Sequence, residues 1–162
     1  MTPLNPEGIF LRRPMEKDIP ELAQMAWEFE QYLLKVDPGL VEETPSKEVF
    51  KNVLEQGFND PKHYMIVAEK KNDGGLVGLA DFWAYPEFLH GGITGYFNNL
   101  FIREGWRGKG IGQMLFENAM AEAKGRGLVA MHIGVKAGNT KALEFYKKMG
   151  INEELVMLET RV

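Results

Sequence analysis

The sequence contains no cysteine and only one serine, Ser46. Without cysteine there is no thiol nucleophile, no disulfide and no cysteine-based zinc site. Ser46 follows Thr44 and Pro45, which we expect to be the N-cap and the first helical position of a helix. A serine in a capping turn, remote from any G-x-S-x-G elbow, is a poor hydrolase nucleophile.

Histidines are also few, and His63, His90 and His132 stand apart in the sequence without an i, i+4 pair. This isolation predicts that the protein has no metal site. No apolar run approaches the roughly 20 residues of a membrane-spanning helix, and the first residues lack the basic and apolar regions of a secretory signal. We therefore expect a cytoplasmic protein that does not enter a membrane.

The net charge of −4 and the pI near 5.5 argue against general nucleic-acid binding and suit a cationic substrate. The length of 162 residues and an apolar content of 44% predict one folded domain, spanning residues 1–162. Hydrophobic periodicity predicts strands at 9–13, 63–70, 75–85, 95–102, 128–135 and 155–162. It predicts helices at 18–34, at 45–56, after the glycine turn at 103–110, and from Asn139 or Thr140. This order indicates an α/β domain with a mixed sheet.

Several details of these elements can be checked. Asp18 and Glu21 have the spacing of a capping box for the first helix. Its buried face is predicted to be Leu22, Met25, Ala26, Phe29 and Leu33, and that of the second helix Val49, Phe50, Val53 and Leu54. The run LVAMHIGV at 128–135 has the continuous apolar character of a strand covered on both faces.

The turn RGKGIG at 107–112 feeds a helix and predicts an anion site. Gly108, Gly110 and Gly112 allow a phosphate to approach the backbone closely, and Arg107 and Lys109 add positive charge. The turn is not a Walker A loop, because no hydroxyl residue follows the lysine, and it lacks the last glycine of the dinucleotide fingerprint.

Two motifs in this order resemble the GCN5-related N-acetyltransferases. RGKGIG has the form R-x-x-G-x-G of their acetyl-CoA pyrophosphate loop, and residues 139–150 have the form N-x-x-A-x-x-F-Y-x-K-x-G. The resemblance covers most of the chain. It implies a single-domain fold with a mixed central sheet, helices on both faces, and strands splayed between the fourth and the fifth.

The resemblance also implies roles for particular residues. The backbone amides of the turn would hold the pyrophosphate of acetyl-CoA, the co-substrate, while the end of the fourth strand pairs with the pantetheine arm and one of its N–H groups polarises the thioester. Tyr146 would contact the cofactor and act as general acid towards the departing thiolate, and Asn139 would cap the last helix and touch the cofactor arm. No covalent enzyme intermediate and no metal is needed. The cofactor-binding residues implied are Leu100, Phe101, Ile102, Arg107, Gly108, Lys109, Gly110, Ile111, Gly112, Gln113, Asn139 and Tyr146.

The sequence departs from the family pattern at the proton acceptor. Many relatives have a glutamate on the fourth strand, where this chain has Asn98 and Asn99. An amide cannot act as a base, so another group must take the proton of the amine. The candidates are Asp81, His132, Glu28 or Glu30, and bulk water, and a carboxylate placed within a strand makes Asp81 the leading one.

Only twelve residues follow Gly150, where family members commonly have two strands. The missing edge could come from a second subunit, which suggests a homodimer, or be absent. Carboxylates and aromatics in 27–43 and 81–92 suit a small cationic amine, polyamine-like or amino-sugar-like, and the chain looks somewhat like the diamine and polyamine N-acetyltransferases. The alternatives are a non-catalytic acyl-CoA-binding regulatory domain and an enzyme that acetylates protein N-termini or lysines.

Overall fold

A five-stranded sheet forms the centre of the computed structural model, which describes residues 8–37, 45–160 and 162. The strands follow chain order across the sheet: β1 Ile9–Arg12, β2 His63–Lys70, β3 Leu76–Glu87, β4 Gly92–Ile102 and β5 Ala130–Ile133. The first four pair antiparallel, whereas β4 and β5 run parallel and therefore need a crossover between them. The mixed sheet predicted from the sequence is confirmed.

Helices cover both faces of the sheet: α1 Ile19–Val36, α2 Lys47–Gly57, α3 Ile111–Gly125 and α4 Thr140–Lys148. Along β2, Tyr64 and Ile66 pack into the core with α3 and α4, while Met65 and Val67 pack into the core with α1 and α2. Successive side chains of a strand point to opposite faces, so β2 needs cover on both. Within 8–37 and 45–160, none of the helices has the length and apolar character to cross a bilayer.

The start of α1 differs from the predicted capping box. Asp18 ends a short 3-10 turn, Glu16–Asp18, and its carboxylate binds Arg12 instead of capping the helix. Glu21 accepts a hydrogen bond from the backbone N–H of Leu76, at 3.1 Å. The capping-box prediction was wrong because both carboxylates find donors on neighbouring strands.

The second helix begins later than predicted. Ser46 is its N-cap, and the Ser46 hydroxyl accepts a hydrogen bond from the N–H of Val49 at 3.4 Å. Pro45 precedes the helix, and Thr44 lies outside the described residues. The lone serine is therefore itself the capping residue.

The buried faces of the two helices are confirmed only in part. Val49 and Val53 are 47% and 62% exposed, so their predicted inward positions were wrong. Phe50 and Leu54, which form an i, i+4 pair, are half-buried, as is Lys51. In α1 the predicted face is fully buried at Leu22, Met25 and Leu33 and half-buried at Ala26 and Phe29.

Two predictions near the end of the chain were wrong. The strand expected at 128–135 is only Ala130–Ile133, and its residues are half-buried because β5 is the edge of the sheet. No strand forms at 155–160 or at residue 162, and the apolar side chains Leu155–Leu158 are exposed. A strand requires a paired neighbour, and this segment has none among the described residues. The homodimer stays a prediction.

Asp18 also gives a prediction on stability. Arg12 binds it through two nitrogens, at 2.7 and 3.1 Å, and thereby lowers the pKa of the Asp18 carboxyl. We expect Asp18→Asn to cost about 2 kcal/mol of unfolding free energy at pH 7, less than a fully enclosed pair because solvent reaches this one. A carboxyl whose pKa is lowered by folding stabilises the folded protein at pH values above its ordinary pKa, near 3.8. The loss of stability caused by Asp18→Asn should therefore shrink as the pH falls below that value.

Urea unfolding at pH 7 and at pH 3 measures this difference. Asp73→Asn is the matched control, because the Asp73 carboxyl also has a lowered pKa, caused by Lys70, but is exposed. Its replacement should change stability little at either pH. Equal losses for Asp18→Asn at both pH values would contradict the prediction.

Candidate active site

The two halves of β4 have different neighbours. Pairing with β5 runs only from Thr94, opposite Ala130, to Phe97, opposite Ile133. Pairing with β3 continues to Ile102. Residues 98–102 therefore have no strand on the β5 side within the described chain, and the predicted parting of the fourth and fifth strands is present. An exposed strand edge of this kind can pair with an extended ligand.

A β-bulge interrupts β4 where the strands part. Asp81 pairs with Asn99 and Phe82 pairs with Phe97, so Asn98 is an extra residue without a partner on β3. A bulge re-aims the side chains around it. Here it turns the amides of both Asn98 and Asn99 towards Asp81.

The glycine turn connects the end of β4 to α3. Gly105, Gly108 and Gly110 have φ values of 78°, 72° and 81°, in the left-handed region that favours glycine. Gly110 is the N-cap of α3 and supplies no side-chain cap. The amides of the first turn therefore lack intrahelical partners, and no acidic residue lies in that turn. This arrangement favours a bound anion.

Two cationic side chains of the turn lie on aromatic rings. The Nε of Arg107 donates to the carbonyl oxygen of Ile102 at 2.8 Å, and its guanidinium lies 4.2 Å from the ring centre of Tyr32. Lys109 lies 4.6 Å from the ring centre of Trp106. These contacts fix the turn against β4 and α1 while keeping positive charge beside the α3 N-terminus.

The fourth helix borders the same region. Asn139 is the N-cap of α4, and its Oδ1 accepts a hydrogen bond from the N–H of Ala142 at 3.2 Å. A Cβ added at Gly112 would lie 3.8 Å from Ile102 and 3.9 Å from Phe145. The start of α3, the end of β4 and α4 are thus neighbours. Tyr146, next to Phe145, therefore lies near the start of α3 and the end of β4, whereas Asn139 lies at the other end of α4.

Tyr146 lies in an aromatic cluster beside the parting strands. It is 9% exposed, and its ring centre is 6.3 Å from Phe97 and 5.7 Å from Phe116. Its hydroxyl makes no hydrogen bond within the described residues. Burial raises the pKa of the Tyr146 hydroxyl well above its ordinary value near 10, so the side chain stays protonated at neutral pH.

Asp81 is the second predicted catalytic residue, and it is 2% exposed. Its Oδ1 accepts a hydrogen bond from Asn99 at 2.7 Å. Its Oδ2 bonds to Nε2 of His63 at 2.8 Å and accepts from Asn98 at 3.3 Å. A carboxylate oxygen accepts about two hydrogen bonds, so Oδ2 is saturated and Oδ1 retains one free acceptor position.

His63 is the partner that sequence reasoning missed. Its Nδ1 lies 3.2 Å from the carbonyl oxygen of Gly57, and because a carbonyl only accepts, Nδ1 carries a hydrogen. Its other ring nitrogen, Nε2, faces Oδ2 of Asp81. Trp83 stacks on the imidazole at 4.4 Å, and a Cβ at Gly57 would lie 2.9 Å from the Trp83 ring. Only the antiparallel pairing of β2 with β3 could have revealed this neighbour.

The other candidate bases are placed differently. Glu28 accepts hydrogen bonds from the guanidinium of Arg103, at 3.0 and 3.4 Å, and so holds α1 against the end of β4. Glu30 is half-buried on α1. His132 is on the edge strand β5, and its Nδ1 is 2.9 Å from the hydroxyl of Tyr85 on β3.

His90 and His132 do not stand apart in the structure. With Glu87 they form a group in which one ligand atom from each residue lies within 4.8 Å of the others. Oε2 of Glu87 is 2.5 Å from Nδ1 of His90, and this bond, followed by one from Thr94, lowers the pKa of the Glu87 carboxyl. The isolation of the histidines inferred from their sequence positions was therefore wrong for two of the three.

A family model describes this arrangement. The model of the acetyltransferase (GNAT) family matches residues 19–151, a range that includes the glycine turn, the open edge of β4 and Tyr146. The chain belongs to the GNAT acetyltransferase family. Both motifs that carried the resemblance lie within the matched range.

Sequence relatives of this GNAT protein include plant and bacterial proteins. A tyramine N-feruloyltransferase of Nicotiana tabacum is 29% identical over 128 residues, which are 74% of this chain and 57% of the tobacco protein. The L-ornithine N5-acetyltransferase NATA1 of Arabidopsis thaliana is 31% identical over 66% of this chain and 46% of its own length. The matched part thus spans about half the length of these two relatives.

Solved structures support the same GNAT fold. A Trypanosoma brucei acetyltransferase has a TM-score of 0.73 and 19% identity, and it covers 95% of this chain and 99% of its own. An acetyltransferase of Clostridium acetobutylicum, solved with acetyl-CoA, has a TM-score of 0.74 at 19% identity and covers 94% and 96%. At this identity the likeness shows the fold alone.

Proposed function

We propose that this GNAT protein transfers an acetyl group from acetyl-CoA to a primary amine of a small molecule. The observation that carries the proposal is the continuity of the open edge of β4, residues 98–102, with the glycine turn and the uncapped start of α3. One stretch of backbone thus offers an edge for a pantetheine arm and amides for a pyrophosphate. The proposed contacts are the cofactor-binding residues from Leu100 to Gln113 given above, with Asn139 and Tyr146.

The two proposed catalytic side chains lie on opposite faces of the sheet. Tyr146 packs in the core with α3 and α4, and Asp81 lies on the face of α1 and α2, with His63. The parting of β4 from β5 is the place where a thioester can be reached from both faces. The amine would attack from the Asp81 side while the thiolate departs towards Tyr146. Direct attack draws its rate mainly from holding the two reactants together.

We propose Oδ1 of Asp81 as the proton acceptor, because it is the oxygen with a free acceptor position. Asp81→Asn should lower kcat/KM about 100-fold at pH 7. The deficit should narrow as the pH approaches the amine pKa, near 10.4, where the amine loses its proton unaided.

The pH profile separates this role from a structural one. A purely structural role for the Asp81–His63 pair predicts the same deficit at every pH, together with a weaker Kd for acetyl-CoA. Calorimetry of acetyl-CoA binding to the variant should instead give the wild-type Kd.

The acceptor is proposed from charge and from relatives. The face of α1 and α2 carries Asp81 and Trp83 beside the parting strands, a carboxylate and an aromatic ring that suit a cationic amine. By their names, relatives act on tyramine and on L-ornithine, and one structural neighbour is a glucosamine-6-phosphate N-acetyltransferase.

The test measures release of free thiol from acetyl-CoA in the presence of diamines, polyamines, ornithine, tyramine and amino sugars. Thiol release that needs one of these amines, with the acetyl group recovered on its nitrogen, supports the proposal. Binding of acetyl-CoA without thiol release for any amine would favour the regulatory domain. Acetylation only of peptides would favour a protein-modifying enzyme.

A further inference from the structure

The Glu87, His90 and His132 group lies outside the proposed transfer machinery and brings the β3–β4 hairpin to β5. We propose that these three side chains bind a divalent transition-metal ion of the Zn²⁺ class. Two imidazoles and one carboxylate are the donor types that such ions prefer, and three protein ligands leave one position for water.

The distances are close to those that such an ion needs. Oε2 of Glu87 is 2.5 Å from His90 Nδ1, and Oε1 is 3.8 Å from His132 Nδ1. Ligands of a tetrahedral zinc ion at its usual bond lengths are about 3.4 Å apart. The observed separations lie on either side of that value. Movement of about 1 Å by side chains would therefore complete the geometry.

One imidazole nitrogen of the group lacks a partner. Nε2 of His132 is shielded from solvent and has no hydrogen-bond partner among the described residues. Nδ1 of the same ring faces Glu87 and lies 2.9 Å from the hydroxyl of Tyr85. When Nδ1 accepts a hydrogen bond from that hydroxyl, it carries the lone pair of the ring and Nε2 carries the hydrogen. A metal ion would take the lone pair of Nδ1 in place of the Tyr85 hydroxyl.

An outer hydrogen bond already orients one of the ligands. The hydroxyl of Thr94, which is fully buried, donates to Oε2 of Glu87 at 3.0 Å. Metal-binding carboxylates and imidazoles are typically held in this way by a second layer of polar groups. The side chains of His90, Glu87 and His132 are 36%, 19% and 18% exposed, so an ion can enter from solvent.

Metal binding would tie an edge strand to a hairpin. β5 is held to the sheet by only four register pairs with β4, from Thr94 to Phe97. Glu87 and His90 belong to the β3–β4 connection and His132 to β5, so an ion bound by all three would join them. Because the ion binds the folded protein, its addition should raise the melting temperature.

The experiment uses the full chain after chelator treatment, titrated with Zn²⁺ by calorimetry and with Co²⁺ by visible absorption. We expect one ion per chain and a higher Tm. Long-range ¹H–¹⁵N spectra of the three histidines should show metal-induced shifts at His90 and His132. His63 should stay unchanged, because both of its ring nitrogens are already hydrogen-bonded. Its signals also report whether each variant is folded.

We expect each of three variants to weaken Zn²⁺ binding about 100-fold or more: Glu87→Gln, His90→Gln and His132→Gln. Loss of a residue that only hydrogen-bonds to a metal ligand already costs up to about 100-fold in affinity, and loss of the ligand itself should cost at least as much. Glu104→Gln is the matched control, because Glu104 is an exposed carboxylate elsewhere on the surface. Absence of binding, or binding that folded variants retain, would overturn the proposal. Neither result bears on the transfer reaction, which is measured separately.

Discussion

Replacing both Gly108 and Gly110 by alanine is expected to raise the Kd for acetyl-CoA about 100-fold. Both residues have left-handed backbone, which costs an alanine roughly 1–2 kcal/mol each. If the turn relaxes to avoid this cost, its amides no longer converge on the pyrophosphate. Binding of the cofactor must then restore the left-handed backbone, and the free energy that this costs is lost from the affinity. Two such costs correspond to a factor of about 100 in affinity. Calorimetry with acetyl-CoA and with free coenzyme A measures it.

Gly105→Ala is the matched control for this variant. Gly105 has a φ of 78° and, like Gly108, has no atom within 4 Å of an added Cβ, so it carries the same kind of backbone strain. It lies earlier in the same turn, before the R-x-x-G-x-G motif. Its replacement should lower stability but leave the Kd nearly unchanged. Wild-type affinity in the double variant would remove the basis of the proposed cofactor site.

Tyr146→Phe is expected to lower kcat about 100-fold or more, with little change in the Kd for acetyl-CoA. The departing thiolate has a pKa near 8.5, and burial holds the pKa of Tyr146 above 10, so full proton transfer is uphill. The hydroxyl therefore acts by donating a hydrogen bond as negative charge develops on sulfur. Removing such a group typically costs 10²–10⁴ in rate. Single-turnover thiol release measures the step directly.

The unfolding free energy of Tyr146→Phe distinguishes a catalytic role of the Tyr146 hydroxyl from a role in packing. The Tyr146 hydroxyl has no hydrogen-bond partner in the described structure, so its removal should leave the unfolding free energy unchanged. Tyr64→Phe is the matched control, because the buried Tyr64 hydroxyl donates to Asn118 at 2.7 Å. That variant should lose about 1 kcal/mol of stability and keep its kcat. A Tyr146→Phe enzyme with wild-type kcat would exclude the general-acid role.

Much of the fold followed from local pattern. The central strands and helices α3 and α4 were predicted close to their observed positions, because periodicity and terminating glycines act over a few residues. The predictions were wrong where the structure of a segment depends on a neighbouring strand or helix. Leu155–Leu158 is apolar enough for a strand but has no strand beside it, and Val49 was assigned to a face that meets no core.

The catalytic region shows the same division. Gly108 and Gly110 could be predicted to lie in a turn that feeds a helix, because a left-handed turn is a property of its own residues. By contrast, Asp81 meets His63 across 18 residues of sequence, through the pairing of β2 with β3. The β-bulge at Asn98 then turns two amides onto the same carboxylate.

The sequence alone determined the α/β class, the glycine turn before α3 and the aromatic motif of α4, because short-range periodicity and glycine backbone preferences encode them. Tertiary structure decided which charged and polar groups meet. Tyr85 and His132 lie 47 residues apart in sequence yet 2.9 Å apart in space. Strand register sets such contacts, and register depends on burial across the whole sheet at once.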